Sequence, residues 1–462
     1  MDRLQTEDFT NYFFIGVAGV GMSAIAQYLC GTGKKISGSD RQFGGAEKSE
    51  IERQLNAEGI KTYIQDGSGL DGSIEICVVS TAVEQSNPEI QKALELKIPI
   101  VHRADLLASI AESKKTIAVS GTSGKSTTAA MIYHIMEQSG KPASFIGGAG
   151  LVTLQEKGKI GNAIAADSDW LVIEADESDG SLVKYHPEIG IILNIDKDHK
   201  EIAELEAIFD IFKANTIGKT IVNQSHSRTL KYSDDAGFDF GFETPCGFQI
   251  EEFSQNGFSI RFKINKTDFE IPVIGFHNAE NAAAAVAACF QTGISVSEAS
   301  RALKSYKGIY RRHQLLGKIN GITVIDDYAH NPVKLAAAIK ACQFEGVKLF
   351  VWFQPHGFAP TKFLRADFVS EISNALRSKD EIWMSEIYYA GGTVNRDISA
   401  NDLIEDIKMK HPFAFFVENR NDLPGKLSSR MNRGDILLLT GARDPSLADF
   451  ARYVYEMIRE KN

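Results

Sequence analysis

Short runs of apolar residues, each bounded by glycine or polar residues, alternate with helix-like segments along most of the chain. This alternation predicts a parallel α/β architecture, because strands that are buried on both faces are almost continuously apolar. The early strand candidates are Tyr12–Val17, Lys34–Gly38 and Ile74–Thr81, and a helix is predicted over Arg103–Ala111. The polar stretch 112–115 that follows predicts a first linker.

A second series of strands is predicted at Thr116–Ser120, Trp170–Ala175 and Ile189–Ile195. Between about residues 222 and 274 the pattern changes to alternation of apolar and polar positions. An Asn-Gly pair at Asn256 separates two alternating segments there, which is a strong hairpin signal. This region therefore predicts an antiparallel appendage, and an alanine-rich helix over Ala279–Gln291 predicts close packing after it.

A third series of elements begins after the pair Arg311-Arg312. The predicted strands are Ile322–Asp326, Lys348–Phe353, Glu381–Trp383, Phe413–Val417 and Asp435–Thr440, and the predicted helices are Val333–Cys342, Phe368–Arg377 and Leu447–Glu460. We therefore predict three α/β domains, at residues 1–112, 113–311 and 312–462. The length of 462 residues agrees with three domains of roughly 150 residues each.

Composition narrows the class of protein further. The net charge of −10 disfavours general binding to nucleic acid. No apolar run approaches the roughly 20 residues that span a bilayer, and the N-terminus lacks a signal-peptide pattern, so membrane insertion is not expected. The five cysteines are scattered and have no CxxC spacing, which predicts reduced, mostly buried thiols in a cytoplasmic protein.

The strongest chemical motif follows the strand at 116–120 and precedes a helix predicted over Thr128–Gln138. It consists of Gly121, Thr122, Ser123, Gly124, Lys125, Ser126 and Thr127. Glycines let backbone N–H groups converge on a phosphate, the lysine reaches the outer phosphates, and Ser126 has the hydroxyl that usually contacts Mg²⁺. Val119 stands where the common pattern has its first glycine, so the motif is a shortened variant. It predicts a nucleotide site.

Four carboxylates lie in the segment 174–179, directly after a predicted strand. Carboxylate oxygens suit a hard cation such as the Mg²⁺ that accompanies ATP, and Glu174 is the first of them. The next strand is followed by Asp198-His199. His199 is either a second metal ligand or an ordinary surface histidine, and spacing does not decide between the two.

A second glycine-rich loop follows the first predicted strand. It contains Gly16, Gly19, Gly21, Met22 and Ser23, and Asp40 ends the next strand. The order of glycines is GxxGxG rather than the dinucleotide pattern GxGxxG, so the loop indicates a nucleotide or diphosphate without establishing NAD. An acidic residue at the position of Asp40 commonly contacts a ribose.

Three further groups of polar residues have both a structural and a functional interpretation. Asn278 and Asn281 could contact an adenine edge or cap a helix. Arg311 and Arg312 suit the charge that grows on a transferring phosphoryl group, or they bridge two domains in solvent. The segment 326–332 could form a simple turn before Pro332.

These motifs, in this order over nearly the whole chain, resemble the Mur ligase family, the ATP-dependent amide-forming enzymes of peptidoglycan assembly. The resemblance is greatest to the branch that joins UDP-N-acetylmuramate to L-alanine and to its relative, the murein peptide ligase that recycles a whole peptide. It implies an α/β fold with a Rossmann-like N-terminal parallel sheet, a central P-loop ATPase-type domain with an antiparallel appendage, and a Rossmann-like C-terminal domain.

The resemblance also implies residue roles. The loop at 16–23, with Ser80, would hold the diphosphate of a UDP-sugar, with Asp40 near the nucleoside. Lys125 and Ser126 would hold ATP phosphates and one Mg²⁺, with Glu174 and His199 as metal ligands. The residues expected to contact adenine, γ-phosphate, ribose and the incoming amino acid are Asn278, Asn281, Arg311, Arg312, Asp327, Tyr328 and His330. His356 would lie near the substrate carboxylate, and Lys125, His199 and Arg312 would be catalytic.

The chain departs from the usual pattern of that branch in its third domain. Gly357 and Phe358 follow His356 where the branch usually has an arginine that holds substrate, and the segment Gly441–Asp444 also differs. The amino substrate is therefore left open. The partners expected are small molecules, bound by a monomer or homodimer. Lys213 is a weak candidate for the modified lysine of some members. A nucleotide-dependent switch or a dehydrogenase is the alternative from another class, although a dehydrogenase would leave Lys125 without a role.

Overall fold

The computed structural model describes residues 9–45, 47–178, 180–196, 201–389 and 395–460. The chain forms two compact units. The first extends to Pro272 and also includes His277–Ile309, and the second comprises Val273–Phe276 and the residues from Tyr310 onward. The domain boundaries at 112 and 311 stay predictions.

The first sheet of unit 1 has five parallel strands in the order β3-β2-β1-β4-β5. Its strands are β1 (Asn11–Ile15), β2 (Lys35–Asp40), β3 (Lys61–Ile64), β4 (Ile76–Val79) and β5 (Ile100–His102). Its helices are α1 (Val20–Gly31), α2 (Glu50–Ala57), α3 (Pro88–Glu95) and α4 (Arg103–Glu112). The order reverses at β1, and in such sheets ligands bind at the carboxyl ends of the strands beside that point.

The second sheet of unit 1 has the order β11-β10-β6-β9-β7-β8, with the phosphate-loop strand β6 between β10 and β9. Its strands are β6 (Lys115–Ser120), β7 (Ser144–Ile146), β8 (Ala163–Ile164), β9 (Trp170–Glu174), β10 (Ile189–Ile192) and β11 (Lys219–Val222). The helices in this part of the chain are α5 (Lys125–Gln138), α6 (Val152–Gln155) and α7 (Ile202–Asn215). All its strand pairs are parallel except β7 with β8.

The predicted appendage is a four-stranded sheet made of β12 (Phe240–Phe242), β13 (Phe248–Asn256), β14 (Ser259–Ile264) and β15 (Thr267–Ile271). Its β13–β14 hairpin is present, although Asn256 pairs with Ser259, so the two turn residues are Gly257 and Phe258 rather than the Asn-Gly pair. The sheet is also not wholly antiparallel, because β12 pairs with β13 in parallel. The helices α8 (His277–Gln291) and α9 (Val296–Leu303) follow it.

Unit 2 contains a six-stranded sheet in the order β16-β17-β21-β18-β19-β20. Its strands are β16 (Gln314–Ile319), β17 (Ile322–Asp327), β18 (Leu349–Gln354), β19 (Glu381–Met384), β20 (Ala414–Phe416) and β21 (Ile436–Gly441). Its helices are α10 (Pro332–Ala341), α11 (Phe358–Phe363), α12 (Arg365–Ala375), α13 (Ala400–Lys408), α14 (Leu423–Ser428) and α15 (Leu447–Glu460). The antiparallel edge strand β16 was not predicted, because its residues are only partly buried and do not alternate clearly.

The cores of both units consist of apolar strand residues covered by helices. In unit 2, every residue of the strands β17, β18 and β21 is buried. All five cysteines are free thiols, and Cys77, Cys289 and Cys342 are buried, as predicted. Within the described ranges, no helix combines the length and the apolar character that a membrane span requires.

Candidate active site

The segment 121–127 forms a phosphate loop between β6 and α5. Helix α5 begins at Lys125, three residues earlier than predicted, so its first turn includes Ser126 and Thr127. Gly124 caps the helix with a φ of 89°, a left-handed conformation that favours glycine. A Cβ at Gly124 would also lie 2.4 Å from Asn281 Oδ1, so a side chain there would force the buried Asn281 to move. The first backbone N–H groups of a helix have no partner within the helix, and at the start of α5 they can donate to an anion.

The amine of Lys125 is held by oxygen atoms on two sides. It donates to the Glu177 carboxylate at 2.7 Å and to the carbonyl oxygen of Gly121 at 2.8 Å, and Asp176 lies 3.7 Å away. Burial lowers the pKa of Lys125, but the carboxylates of Glu177 and Asp176 outweigh it and hold that pKa above its ordinary value. The amine is therefore a fixed positive charge at the mouth of the loop.

Ser126 and Glu174 provide the oxygen atoms expected of a magnesium site. The Ser126 hydroxyl donates to Glu174 Oε2 at 2.8 Å, and Glu174 Oε1 accepts from the backbone N–H of Gly148. A hydroxyl and a carboxylate in contact at the start of a phosphate-binding helix fit Mg²⁺, which usually binds one or two protein oxygens besides phosphates and water. Within the described residues, no cluster of three or more histidine, cysteine or acidic side chains forms a metal cage.

His199, the third predicted metal ligand and a predicted catalytic residue, lies outside the described residues. The same holds for Asp179 of the acidic segment. Lys213 Nζ donates to Thr220 and forms an ion pair with Asp234. That arrangement gives Lys213 a structural role at the end of α7.

Asn194 holds the phosphate loop in shape and was not recognised from the sequence. Its Oδ1 accepts from the Thr122 hydroxyl and from the Ser123 N–H, both at 2.8 Å, and its Nδ2 donates to the Ser123 carbonyl at 3.1 Å. The available signal was its position two residues after the end of β10, which neighbours β6. Glu177 was likewise grouped with the metal carboxylates, whereas it bonds Lys125.

The two asparagines predicted to contact adenine lie on the first turns of α8 and are buried. Asn281 accepts from the Thr128 hydroxyl at 3.2 Å and donates to Asn278 Oδ1 at 3.2 Å. Together with its approach to Gly124, this places Asn281 against the phosphate loop. Contact of either asparagine with adenine stays a prediction.

The glycine-rich loop at 16–23 lies at the switch point of the first sheet. Gly16 has a φ of 84°, and its N–H and that of Val17 donate to the carbonyl of Ser39. Asp40, buried at the end of β2, accepts from the N–H of Ala18 at 3.0 Å. The predicted diphosphate loop is therefore fixed to β2 by backbone bonds and by Asp40.

The other residues predicted at this loop differ in their surroundings. Met22 belongs to the hydrophobic core, and the buried Ser23 donates to the Val20 carbonyl, so both point into the fold. A Cβ at Gly21 would lie 3.1 Å from the Arg103 guanidinium, which brings a cation to this helix N-terminus. Ser80 directly follows β4.

A cavity of about 440 Å³ lies beside this loop at the carboxyl edge of the first sheet. Its lining includes Asp40 at the end of β2, Arg41 directly after it, Gln65 after β3, and Asn87 and Pro88 at the start of α3. Polar side chains from the end of β2, from the segments after β2, β3 and β4 and from the start of α3 thus line a space large enough for a small ligand.

In unit 2, the two adjacent arginines have different roles. Arg311 is buried, pairs with Asp326 at 2.9 Å and donates to the carbonyl of Gly441 at 2.9 Å. Arg312 is exposed, and its guanidinium carbon lies 5.2 Å from the centre of the Tyr328 ring. Arg311 is therefore anchored within the fold, whereas Arg312 is available to a ligand.

The remaining predicted residues follow β17 and β18 at one edge of the unit 2 sheet. Asp327 is buried and accepts from the N–H groups of His313 and Ala329, both at 2.7 Å. The rings of His330 and His356 lie 5.5 Å apart, and that of His330 lies 5.6 Å from Tyr328. Burial lowers the pKa of His330 to about 4 and also lowers that of His356, so both rings are neutral at pH 7. The roles of these residues toward ATP and substrate stay predictions.

Three family models match the chain in succession. Residues 11–115 match the Mur ligase family catalytic domain, residues 119–289 the Mur ligase middle domain, and residues 311–443 the Mur ligase glutamate ligase domain. The chain is 33% identical over 446 residues to the UDP-N-acetylmuramate--L-alanine ligase of Carboxydothermus hydrogenoformans, with 93% of both chains covered. It is 34% identical over 450 residues to the same-named ligase of Dictyoglomus turgidum, again with 93% of both covered.

Solved structures agree with this relationship. The UDP-N-acetylmuramate-alanine ligase MurC of Thermotoga maritima matches with a TM-score of 0.81 and 25% identity, covering 98% of this chain and 100% of that one. A murein peptide ligase of Psychrobacter arcticus shares the fold, with a TM-score of 0.67 and 19% identity, covering 98% of this chain and 99% of that one. The predicted fold class and resemblance are thereby confirmed, and the chain belongs to the Mur ligase family of enzymes.

Proposed function

We propose that this chain is an ATP- and Mg²⁺-dependent ligase that joins the carboxylate of UDP-N-acetylmuramate to the amine of L-alanine, releasing ADP and phosphate. The observation that carries the proposal is the phosphate loop, with Lys125 and the Ser126–Glu174 pair at the start of α5. That loop lies in a chain that aligns over nearly its whole length with ligases named for this reaction. Its cytoplasmic location and its state as a monomer or homodimer stay predictions.

The chemistry explains why a carboxylate needs ATP here. A carboxylate is a poor acyl donor because its leaving group would be oxide. Attack of one carboxylate oxygen on the γ-phosphorus displaces ADP and gives an acyl phosphate. The neutral amine nitrogen then attacks the acyl carbon, inorganic phosphate leaves with the electron pair of the C–O bond, and the amine releases a proton.

Lys125 and the N–H groups at the start of α5 would stabilise the charge on the transferring phosphoryl group, because both are fixed before the reaction. Ser126 and Glu174 would hold Mg²⁺, which when bound neutralises phosphate charge. The loop at 16–23 and Asp40 would bind the UDP part at the N-terminus of α1.

The test is an acceptor screen with the full chain. UDP-N-acetylmuramate, ATP and Mg²⁺ are incubated with each amino acid in turn, and phosphate release and product mass are measured. We expect release that depends on both the UDP-sugar and L-alanine, with the amide identified by mass. Release with a murein peptide and not with L-alanine would assign the recycling reaction instead. ATP turnover that no acceptor stimulates would contradict a ligase and support a nucleotide-dependent switch.

A further inference from the structure

Three loops leave the unit 2 sheet side by side. Strand β21 lies between β17 and β18, and its residue Thr440 is in register with both Asp327 and Phe353. His356 comes two residues after the end of β18, and Arg443 comes two residues after the end of β21. At the carboxyl edge of parallel strands, a switch in strand order is where α/β sheets bind ligands. Arg443 and His356 are therefore placed at a binding edge.

Arg443 is a positive charge held on a rigid turn. It is exposed, and it makes no hydrogen bond or ion pair with any residue in the described part of the chain. Its φ of 63° is a left-handed conformation that a non-glycine residue adopts at a cost. The following residue, Asp444, fixes the turn by accepting from Arg420 at 2.6 Å and from the N–H of Ser446 at 2.9 Å.

The surroundings of Arg443 favour an anion. His356 Nδ1 is buried and has no hydrogen-bond partner. Burial and then the charge of Arg443 lower the pKa of His356, in agreement with the adjacent positions of the loops that follow β18 and β21. Asp327 lies at the end of β17, the strand on the other side of β21, and both of its carboxylate oxygens already accept backbone N–H groups. In the segment 357–364, which follows His356, the one basic residue is Lys362, and its amine is paired with Asp397. Lys362 is therefore less able than Arg443 to bind an anion.

From this arrangement we infer that Arg443 binds the α-carboxylate of a free amino acid acceptor, with His356 Nδ1–H as a second donor to the same group. The inference rests on the proposed function and deepens it, because it names a residue that determines specificity for the acceptor. A guanidinium can bind a carboxylate with two parallel hydrogen bonds, and an uncharged amide in its place would lose this charge-assisted pairing. The enzyme would therefore select an amino acid over its amide.

The test compares Arg443→Gln with the parent protein and with Arg459→Gln. Arg459 is an exposed arginine near the far end of α15 and serves as the matched control. Rates are measured with L-alanine and with L-alaninamide, and formation of the acyl phosphate is followed separately by trapping it with hydroxylamine. Hydroxylamine has no carboxylate, so the trapping reaction does not need Arg443.

We expect Arg443→Gln to raise KM for L-alanine about tenfold or more, with KM for ATP within about twofold. The preference for L-alanine over L-alaninamide should collapse, Arg443→Lys should restore part of it, and hydroxamate formation should match that of the parent. An unchanged alanine-to-alaninamide ratio in Arg443→Gln, with normal hydroxamate formation, would overturn the inference and leave the proposed function standing. A parent protein that forms neither hydroxamate nor amide would overturn both.

Discussion

At the residue scale, Lys125 combines an observed ion pair with a proposed chemical role. Its amine bonds Glu177, which is buried, and it lies at the start of the phosphate-binding helix. We expect Lys125→Ala to lower ligase turnover at least about a thousandfold, because the fixed positive charge on the transferring phosphoryl group is lost. Turnover is measured by phosphate release at saturating ATP. The exposed Lys157→Ala is the control, and near-normal turnover of Lys125→Ala would refute the site.

A second property of single residues is the pH dependence of folding. Burial, together with the charges of Lys334, His356 and Arg312, lowers the pKa of His330 to about 4, from an ordinary value of 6.5. Between those two values the unfolded chain binds a proton at this ring and the folded chain does not. Stability should therefore fall as pH drops from 6.5 to 4, by up to about 3 kcal/mol from this residue.

His330→Gln should remove that contribution. We expect the difference in the free energy of unfolding between pH 7 and pH 4.5 to be smaller in His330→Gln than in the parent, measured by urea denaturation with circular dichroism. His102→Gln changes an exposed histidine and should leave the difference as it is in the parent. The same pH dependence in the His330 variant would contradict the prediction.

At the scale of elements, helix α1 and the glycine-rich loop before it depend on one buried side chain from the chain segment before β8. Asn162 accepts from Gln27 at 2.7 Å and donates to the Val20 carbonyl at 2.9 Å. Asn162→Ala would remove both of these buried hydrogen bonds and leave the Gln27 amide and the Val20 carbonyl with only their bonds to Ser23, at a cost of about 1–3 kcal/mol in the free energy of unfolding. Chemical denaturation measures this, and the exposed Asn374→Ala should change it by less than about 0.5 kcal/mol. Equal stability of the two variants would show that Asn162 is dispensable.

The sequence predicted those elements whose physical cause is local. The strands before both glycine-rich loops, and the α8 and α15 helices, follow from apolar runs and periodicity, and the phosphate loop from its residue order. Strand β16 was not predicted because it forms by pairing with β17, and its own sequence has no clear strand pattern. The sequence also did not reveal that Arg311 and Arg312 have different roles, for a related reason. Only the fold brings Asp326 and the Gly441 carbonyl to Arg311, and adjacent identical residues carry no such information.

At the scale of the whole molecule, the two predicted nucleotide sites belong to different sheets. Asp40 ends a strand of the first sheet, and its carboxylate accepts from Ala18 N–H in the diphosphate loop and from Gln42 N–H, both at 3.0 Å. The phosphate loop follows β6 in the second sheet. Loss of the Asp40 carboxylate should therefore affect one ligand only.

We expect Asp40→Ala to weaken the binding of UDP-N-acetylmuramate about tenfold or more, because it removes a carboxylate that holds the loop and that is predicted to contact the ribose. The Kd for ATP should stay within about twofold, since among the described residues no hydrogen bond of the phosphate loop involves Asp40. Isothermal titration calorimetry with each ligand separately measures both constants. Asp71→Ala, an exposed aspartate that caps a turn before β4, is the control. An equal loss of both affinities in Asp40→Ala would contradict the assignment of the UDP-sugar and ATP to separate sites on the first and second sheets.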